Sequence, residues 1–101
     1  MSCVFCSIDP ELVLLKNDLA FVINDKYPQS KGHLLVIPYR HFENYFEANP
    51  EELIAMNDLI FKARNYLLEL HNPSGFNVNV NVGKAAGQIV PHSHIHIIPR
   101  Y

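Results

Sequence analysis

The chain has no tryptophan, two cysteines, four glycines and a formal charge of only −2 across 101 residues. Each shortage excludes something. Two cysteines cannot build the several-bridge framework that staples small secreted domains. A near-neutral charge supplies no basic stripe to release counterions, so nucleic acid is not an expected partner. No apolar run approaches the ~20 residues of a membrane helix; the longest aliphatic stretches are Leu12–Leu15 and Leu34–Ile37. The first residues lack the basic, apolar and small-residue regions of a signal peptide, which makes a cytoplasmic location the default expectation. There, the Cys3-x-x-Cys6 spacing reads as a metal or redox site rather than a structural disulfide.

What is present suits an ordinary soluble globule, with 49% hydrophobic and 18% charged residues. No repeat or linker divides it, so residues 1–101 are expected to form one domain. Leu19–Asn24 and His33–Ile37 read as strands joined by a turn over 25–32, punctuated by Pro28 and Gly32. One long helix is predicted from Pro50 to His71. Asn49 is its N-cap, Pro50 its first residue, and Glu51 and Glu52 suit the dipole. Leu53, Met56, Ile60, Ala63, Leu67 and Leu70 form a predicted core stripe, and Asn72-Pro73-Ser74-Gly75 ends the helix. His71, in the last turn, is expected to meet the final carbonyls rather than a ligand. Phe76, Val78, Val80 and Val82 then alternate with asparagines as a half-buried strand. The order implies α+β: an antiparallel sheet carrying its helix on one face.

Three of the six histidines sit at alternate positions in Pro91-His92-Ser93-His94-Ile95-His96-Ile97-Ile98-Pro99. On a strand, alternate side chains share a face, so His92, His94 and His96 are expected to converge. Stacked imidazoles suit the handling of protons, metal or phosphate. Just before them runs Asn81-Val82-Gly83-Lys84-Ala85-Ala86-Gly87-Gln88, whose small residues would let backbone amides approach an anion.

These residues, together with Cys3-Val4-Phe5-Cys6 and Gly32-His33-Leu34-Leu35-Val36-Ile37-Pro38, closely resemble the histidine triad (HIT) family of nucleotide hydrolases and transferases. The likeness runs over nearly the whole chain and is nearest to microbial members with an N-terminal Cys-x-x-Cys. It implies a sheet of about five antiparallel strands with one long helix, continued across a homodimer. It implies His94 as the nucleophile at the α-phosphorus of an adenine nucleotide derivative, forming a transient nucleotidyl-histidine. His96, Gln88 and Asn81 would surround the phosphoryl group, with His33 supporting the triad. Asp25 would hold the ribose hydroxyls, although Asn24-Asp25-Lys26 also reads as an ordinary Asx turn. Phe5, Ile8, Phe21 and Leu35 would line the base pocket; each would otherwise be core, and for Leu35 the two readings weigh about the same. A structural zinc ion (Zn2+) would be held by Cys3, Cys6, His41 and His92. Dinucleoside polyphosphates and nucleoside phosphoramidates are the implied substrates.

The chain departs from the family pattern at four places. Ser93 stands where an apolar residue is usual, and Lys84 where an acidic or small one is. Ile89 replaces a Ser or Thr whose hydroxyl would serve the leaving group. The sequence stops at Tyr101, soon after the motif.

Apolar residues on the helix beyond its core stripe (Ile54, Leu59, Phe61, Tyr66, Leu68) exceed what a solvated face needs and agree with a homodimer.

Overall fold

The computed structural model describes residues 3–101. Its regular elements are β1 (Leu15–Lys16), β2 (Ala20–Asn24), β3 (Leu34–Pro38), α1 (Pro50–His71), β4 (Gly75–Asn79) and β5 (Ile95–Arg100). Single 3-10 turns lie at Pro10–Leu12, Tyr45–Glu47 and Lys84–Ala86. The strands form one sheet in the order β1-β2-β3-β5-β4, antiparallel at every pairing. This is the α+β architecture implied by the sequence, with β1 and the 3-10 turns added.

Strand alternation divides the chemistry between two faces. Ala20, Val22, Leu34, Val36, Ile95 and Ile97 point to the helix, where they pack on Met56, Leu59, Ala63 and Leu67. Phe21, Ile23, Leu35 and Ile37 point the other way, beneath Phe5, Ile8 and Val13. A slip of one residue would exchange the two sets, so burial on both faces fixes the register.

Helix α1 starts with a reciprocal capping box. Asn49 Oδ1 accepts the Glu52 amide at 2.8 Å, and Glu52 Oε1 accepts the Asn49 amide at 3.0 Å; two otherwise orphaned donors are satisfied. Glu52 is buried and also takes Arg40 in a fork, Nε at 2.9 Å and Nη2 at 2.8 Å. This guanidinium, more than the Asn49 amide, holds the Glu52 carboxyl below its ordinary 4.5 against the cost of burial. The pair ties the helix start to the segment after β3, which carries His41. At the other end Asn72 adopts the left-handed conformation at φ 51° and its amide closes on the carbonyls of Leu67 and Leu68.

Three expectations need correction. The core stripe of α1 is Glu52, Met56, Leu59, Ala63 and Leu67. Leu59 therefore belongs inside, whereas Leu53 and Leu70 are exposed. The helix carries aliphatics on most of its faces, so periodicity alone left the phase open. The asparagine-rich strand ends at Asn79, and Val80 and Val82 lie in the following loop. His71 does not bond the helix carbonyls. Its ring covers Gly32, where an added Cβ would lie 2.9 Å from both His71 Cδ2 and Leu67 Cδ2. With φ at +91°, position 32 needs glycine twice over, for its backbone and for the close helix.

Candidate functional site

The histidine run is not one uniform strand. Only His96 lies in β5, opposite Leu35 on one side and Asn79 on the other. His92 and His94 precede the ladder, His92 in a bend, where the Ser93 amide bonds Phe42 O at 2.8 Å. The three rings consequently do different things.

The ring of His92 is completely buried. Its Nε2–H donates to Pro38 O at 2.8 Å, which leaves the Nδ1 lone pair facing outward. There it meets Cys3 Sγ at 3.4 Å, Cys6 Sγ at 3.6 Å and His41 Nδ1 at 3.1 Å, and Cys6 Sγ lies 3.4 Å from His41 Nδ1. A tetrahedral ion at ~2.3 Å from sulfur and ~2.0 Å from nitrogen would set S–N edges of roughly 3.6 Å and N–N edges of roughly 3.3 Å. The three S–N separations and the one N–N separation lie close to those edges, and all four ligand atoms fall within 4.8 Å of one another, so the cluster can hold a metal ion. The Pro38 carbonyl behind His92 is the second-layer acceptor that fixes a ligand's tautomer. Burial chiefly lowers the pKa of His92, keeping the neutral form that a metal requires. The Cys6 thiol is pushed up, first by burial and then by its neighbour Cys3, a crowding that a cation would relieve.

His94 is buried and donates Nδ1–H to the His92 carbonyl at 2.8 Å. Its other nitrogen, Nε2, is thereby left as a lone pair, the form a nucleophilic imidazole needs. Phe5 stands edge-on to this ring, with centroids 5.1 Å apart, and to the His92 ring at 5.8 Å.

The tautomer of His96 follows from its neighbours. The Gln29 amide donates to His33 Nδ1 at 3.0 Å, so His33 carries its proton on Nε2. That proton points at His96 Nδ1, 3.0 Å away. His96 therefore bears its own hydrogen on Nε2 and is a donor, its ring 5.1 Å from that of His94. Burial is the leading cause that lowers the pKa of both His33 and His96, with Asp25 opposing it. Asp25 does two things at once. Its Oδ1 accepts the Tyr27 amide at 2.8 Å, as an Asx turn does, while Oδ2 lies 3.3 Å from His33 Nε2 and 3.8 Å from His96 Nδ1.

Phe5, Ile8 and Phe21 line a cleft of about 510 Å³ that also reaches Val13, Lys16 and Tyr39. The volume suits a small organic ligand. Leu35 lies beneath this cleft in the buried cluster and does not line it. Cross-strand pairing sets Lys16 opposite Phe21 on the cleft face.

Gln88, expected beside the phosphoryl group, uses its side-chain amide on its own loop and the neighbouring segment. It is buried, and its Nε2 donates to Glu43 O at 2.6 Å and to Val90 O at 3.0 Å. Its Oε1 accepts the Gly83 amide at 2.8 Å. Both amide hydrogens are used in holding the loop. Asn81 Nδ2 donates to Gly87 O at 3.3 Å across the same loop. Ile89 is 90% exposed beside it. Sequence reasoning missed Gln29, Pro38 and Phe42, which act through main-chain groups, so that side-chain identity carries no signal of their role.

Comparison with known proteins agrees with this geometry. A family model described as HIT domain matches residues 8–101. An adenylylsulfatase of Arabidopsis thaliana is 40% identical over 102 residues, covering 97% of this chain and 52% of that protein. An AP-4-A phosphorylase of Mycobacterium tuberculosis is 34% identical over 94 residues, 89% of this chain and 47% of its own length. The chain thus spans about half the length of these two relatives. A crystal structure of a hypothetical histidine triad nucleotide-binding protein from Sulfolobus tokodaii superposes with a TM-score of 0.91 at 36% identity, over 98% of this chain and 69% of that one.

Proposed function

The chain belongs to the HIT family, and on that footing we propose that it hydrolyses adenine nucleotide derivatives at the α-phosphate. The observation that carries the reading is the hydrogen bond from His94 Nδ1–H to the His92 carbonyl at 2.8 Å, which commits Nε2 to a lone pair. That lone pair attacks the α-phosphorus, a nitrogen–phosphorus bond forms, and the bond to the leaving oxygen or nitrogen breaks. The proton stays on Nδ1, and its hydrogen bond to the His92 carbonyl supports the positive ring. Water then attacks the same phosphorus, releases the nucleoside monophosphate and returns the pair to Nε2. His96 supplies a neutral donor beside the reacting group, placed there by His33 and the Gln29 amide. Asp25 keeps Oδ2 available for ribose hydroxyls, and the cleft at Phe5, Ile8 and Phe21 receives the base. Relatives named for adenylylsulfate and for AP-4-A support adenine nucleotides with a phosphate-linked leaving group as the substrate class.

Zinc is the ion that suits two thiolates and two imidazoles at tetrahedral edges. Cys3, Cys6, His41 and His92 would hold it. Four protein ligands leave no open coordination position, so its contribution is to hold Cys3–Cys6 against His41 and His92.

One observation favours a second reading, a nucleotide-binding module with little turnover. Both hydrogens of the Gln88 amide are on backbone carbonyls, and Ile89 offers no hydroxyl to the leaving group. The test is turnover of adenosine 5′-phosphoramidate and diadenosine tetraphosphate by the wild type and by His94→Ala. Turnover by the wild type, lost by about 10³-fold or more in the variant, supports the nucleophilic enzyme. AMP binding without turnover supports the module.

A further inference from the structure

We propose that Cys3 and Cys6 form an oxidisable dithiol, a modification site for hydroperoxides, whose oxidation ejects the metal and loosens Phe5 from His94. The proposal rests on the metal reading above and extends it to the state of the nucleotide cleft.

The two sulfurs are already in position. The Cys6 amide bonds Cys3 O at 3.1 Å, closing a four-residue turn, and such turns keep their end Cα atoms within ~7 Å. That limit meets the upper range for a disulfide, about 6.8 Å. The two Sγ atoms lie within 4.8 Å of one another. Cys6 is exposed and Cys3 half-buried, so Cys6 is the sulfur a solvent oxidant reaches first.

The Cys6 sulfur attacks one peroxide oxygen, the O–O bond breaks, and a sulfenic acid and a hydroxide or alkoxide form. The Cys3 sulfur then displaces the sulfenic oxygen as water, giving the disulfide. In sum, two thiols and one hydroperoxide yield one disulfide, one water and one further water or alcohol. Two electrons pass from the sulfurs to the peroxide. A disulfide sulfur is no longer a thiolate ligand, so only His41 and His92 remain for the ion.

Why this reaches the cleft is a matter of chain position. Phe5 lies inside the oxidised turn. It touches the rings of His92 and His94 and forms a wall of the cleft, and Ile8, three residues on, forms another. Metal ligation at residues 3 and 6 would tie this turn to His41 and His92, whereas a disulfide joins the two cysteines only to each other.

The experiment uses the zinc-loaded full chain treated with hydrogen peroxide. Zinc release is read with a chromogenic chelator, disulfide formation by intact mass, and the Phe5–His94 contact by the His94 ring-proton NMR shifts. AMP affinity is measured by calorimetry on both forms. The expected result is loss of two hydrogens, release of one zinc, displaced His94 ring signals and about tenfold weaker AMP binding, the scale of one lost aromatic contact. A thiol reductant with added zinc should reverse all four. The Cys3→Ser/Cys6→Ser double variant should resemble the oxidised form in its His94 signals and ignore peroxide. A disulfide that leaves zinc bound, or leaves the His94 signals in place, overturns the proposal. Failure of reduced, zinc-loaded protein to bind AMP would instead count against the nucleotide reading, with the NMR and zinc measurements still deciding this one.

Discussion

The His92 carbonyl accepts the Nδ1–H of His94 at 2.8 Å while the His92 ring presents Nδ1 to Cys3, Cys6 and His41. One residue thereby joins a cluster that could hold a metal ion to the tautomer of His94, the proposed nucleophile. Neither group needs to move for the other to be set.

Gln88 is the centre of the loop that precedes the triad, since its amide satisfies three main-chain groups. Replacing Gln88 with Ala should leave Gly83 N–H, Glu43 O and Val90 O without that partner. The expected cost is about 1 kcal/mol of stability, from three main-chain groups that lose their hydrogen-bond partner. Urea unfolding checks it, and a change below about 0.5 kcal/mol would show the amide to be dispensable.

His33 and His96 give the protein a defined response to acid. Their folded pKa values lie below the ordinary 6.5, mainly through burial. The unfolded chain therefore takes up protons first as pH falls, and the stabilisation present above pH 6.5 is lost towards the folded values. Each histidine contributes at most about 1.4 kcal/mol per pH unit in that window. Chevron or urea series at pH 7.5 and 5.5 should show the loss, and His33→Phe should reduce the slope. A flat profile between these values would contradict the assignment.

Ser93 is buried, and its Oγ has no hydrogen-bond partner among the described residues. Ser93→Ala removes that hydroxyl and should raise stability by about 1 kcal/mol without altering turnover. A loss of stability would mean that the hydroxyl has a partner in solution.

Strand β4 forms an outer edge of the sheet, and Val78 on it is exposed, as are Ile54 and Phe61 on α1. Ile60, Phe61, Phe76, Val78 and Ile97, with Arg64, line one apolar groove between helix and edge. A second copy continuing the sheet would cover it. Light scattering should give twice the 11.6 kDa chain mass for the wild type at micromolar concentration, and one chain mass for Phe61→Glu. A monomeric wild type would refute the pairing.

How much of this was legible in the residues varies with the distance over which each signal acts. Asn49-Pro50 and Asn72-Pro73 bounded α1 because caps act within one turn. The buried runs of β2 and β3 were readable for the same reason. The helix phase was not, because Leu53, Leu59 and Leu70 look alike until a sheet selects among them. Cys3-x-x-Cys6 left metal and redox readings open, because His41 and His92, which complete a cluster able to hold an ion, join it only through the fold. Gln88 was read by its chemistry as a donor, whereas the folded loop uses that donor for itself. Asp25 makes the Asx turn that its neighbours predict, through Oδ1, while Oδ2 faces His33 and His96, a contact that no local pattern announces.

The separation of Cys3 from His92, 89 residues of chain, has a consequence for kinetics. Ligands so distant meet only when the segments carrying them have both docked on the sheet, a step expected to follow the transition state. An ion held there would be absent from the transition state and would slow unfolding while scarcely changing the folding rate. Metal would then set how long the native protein lasts, leaving how fast it forms to the sheet.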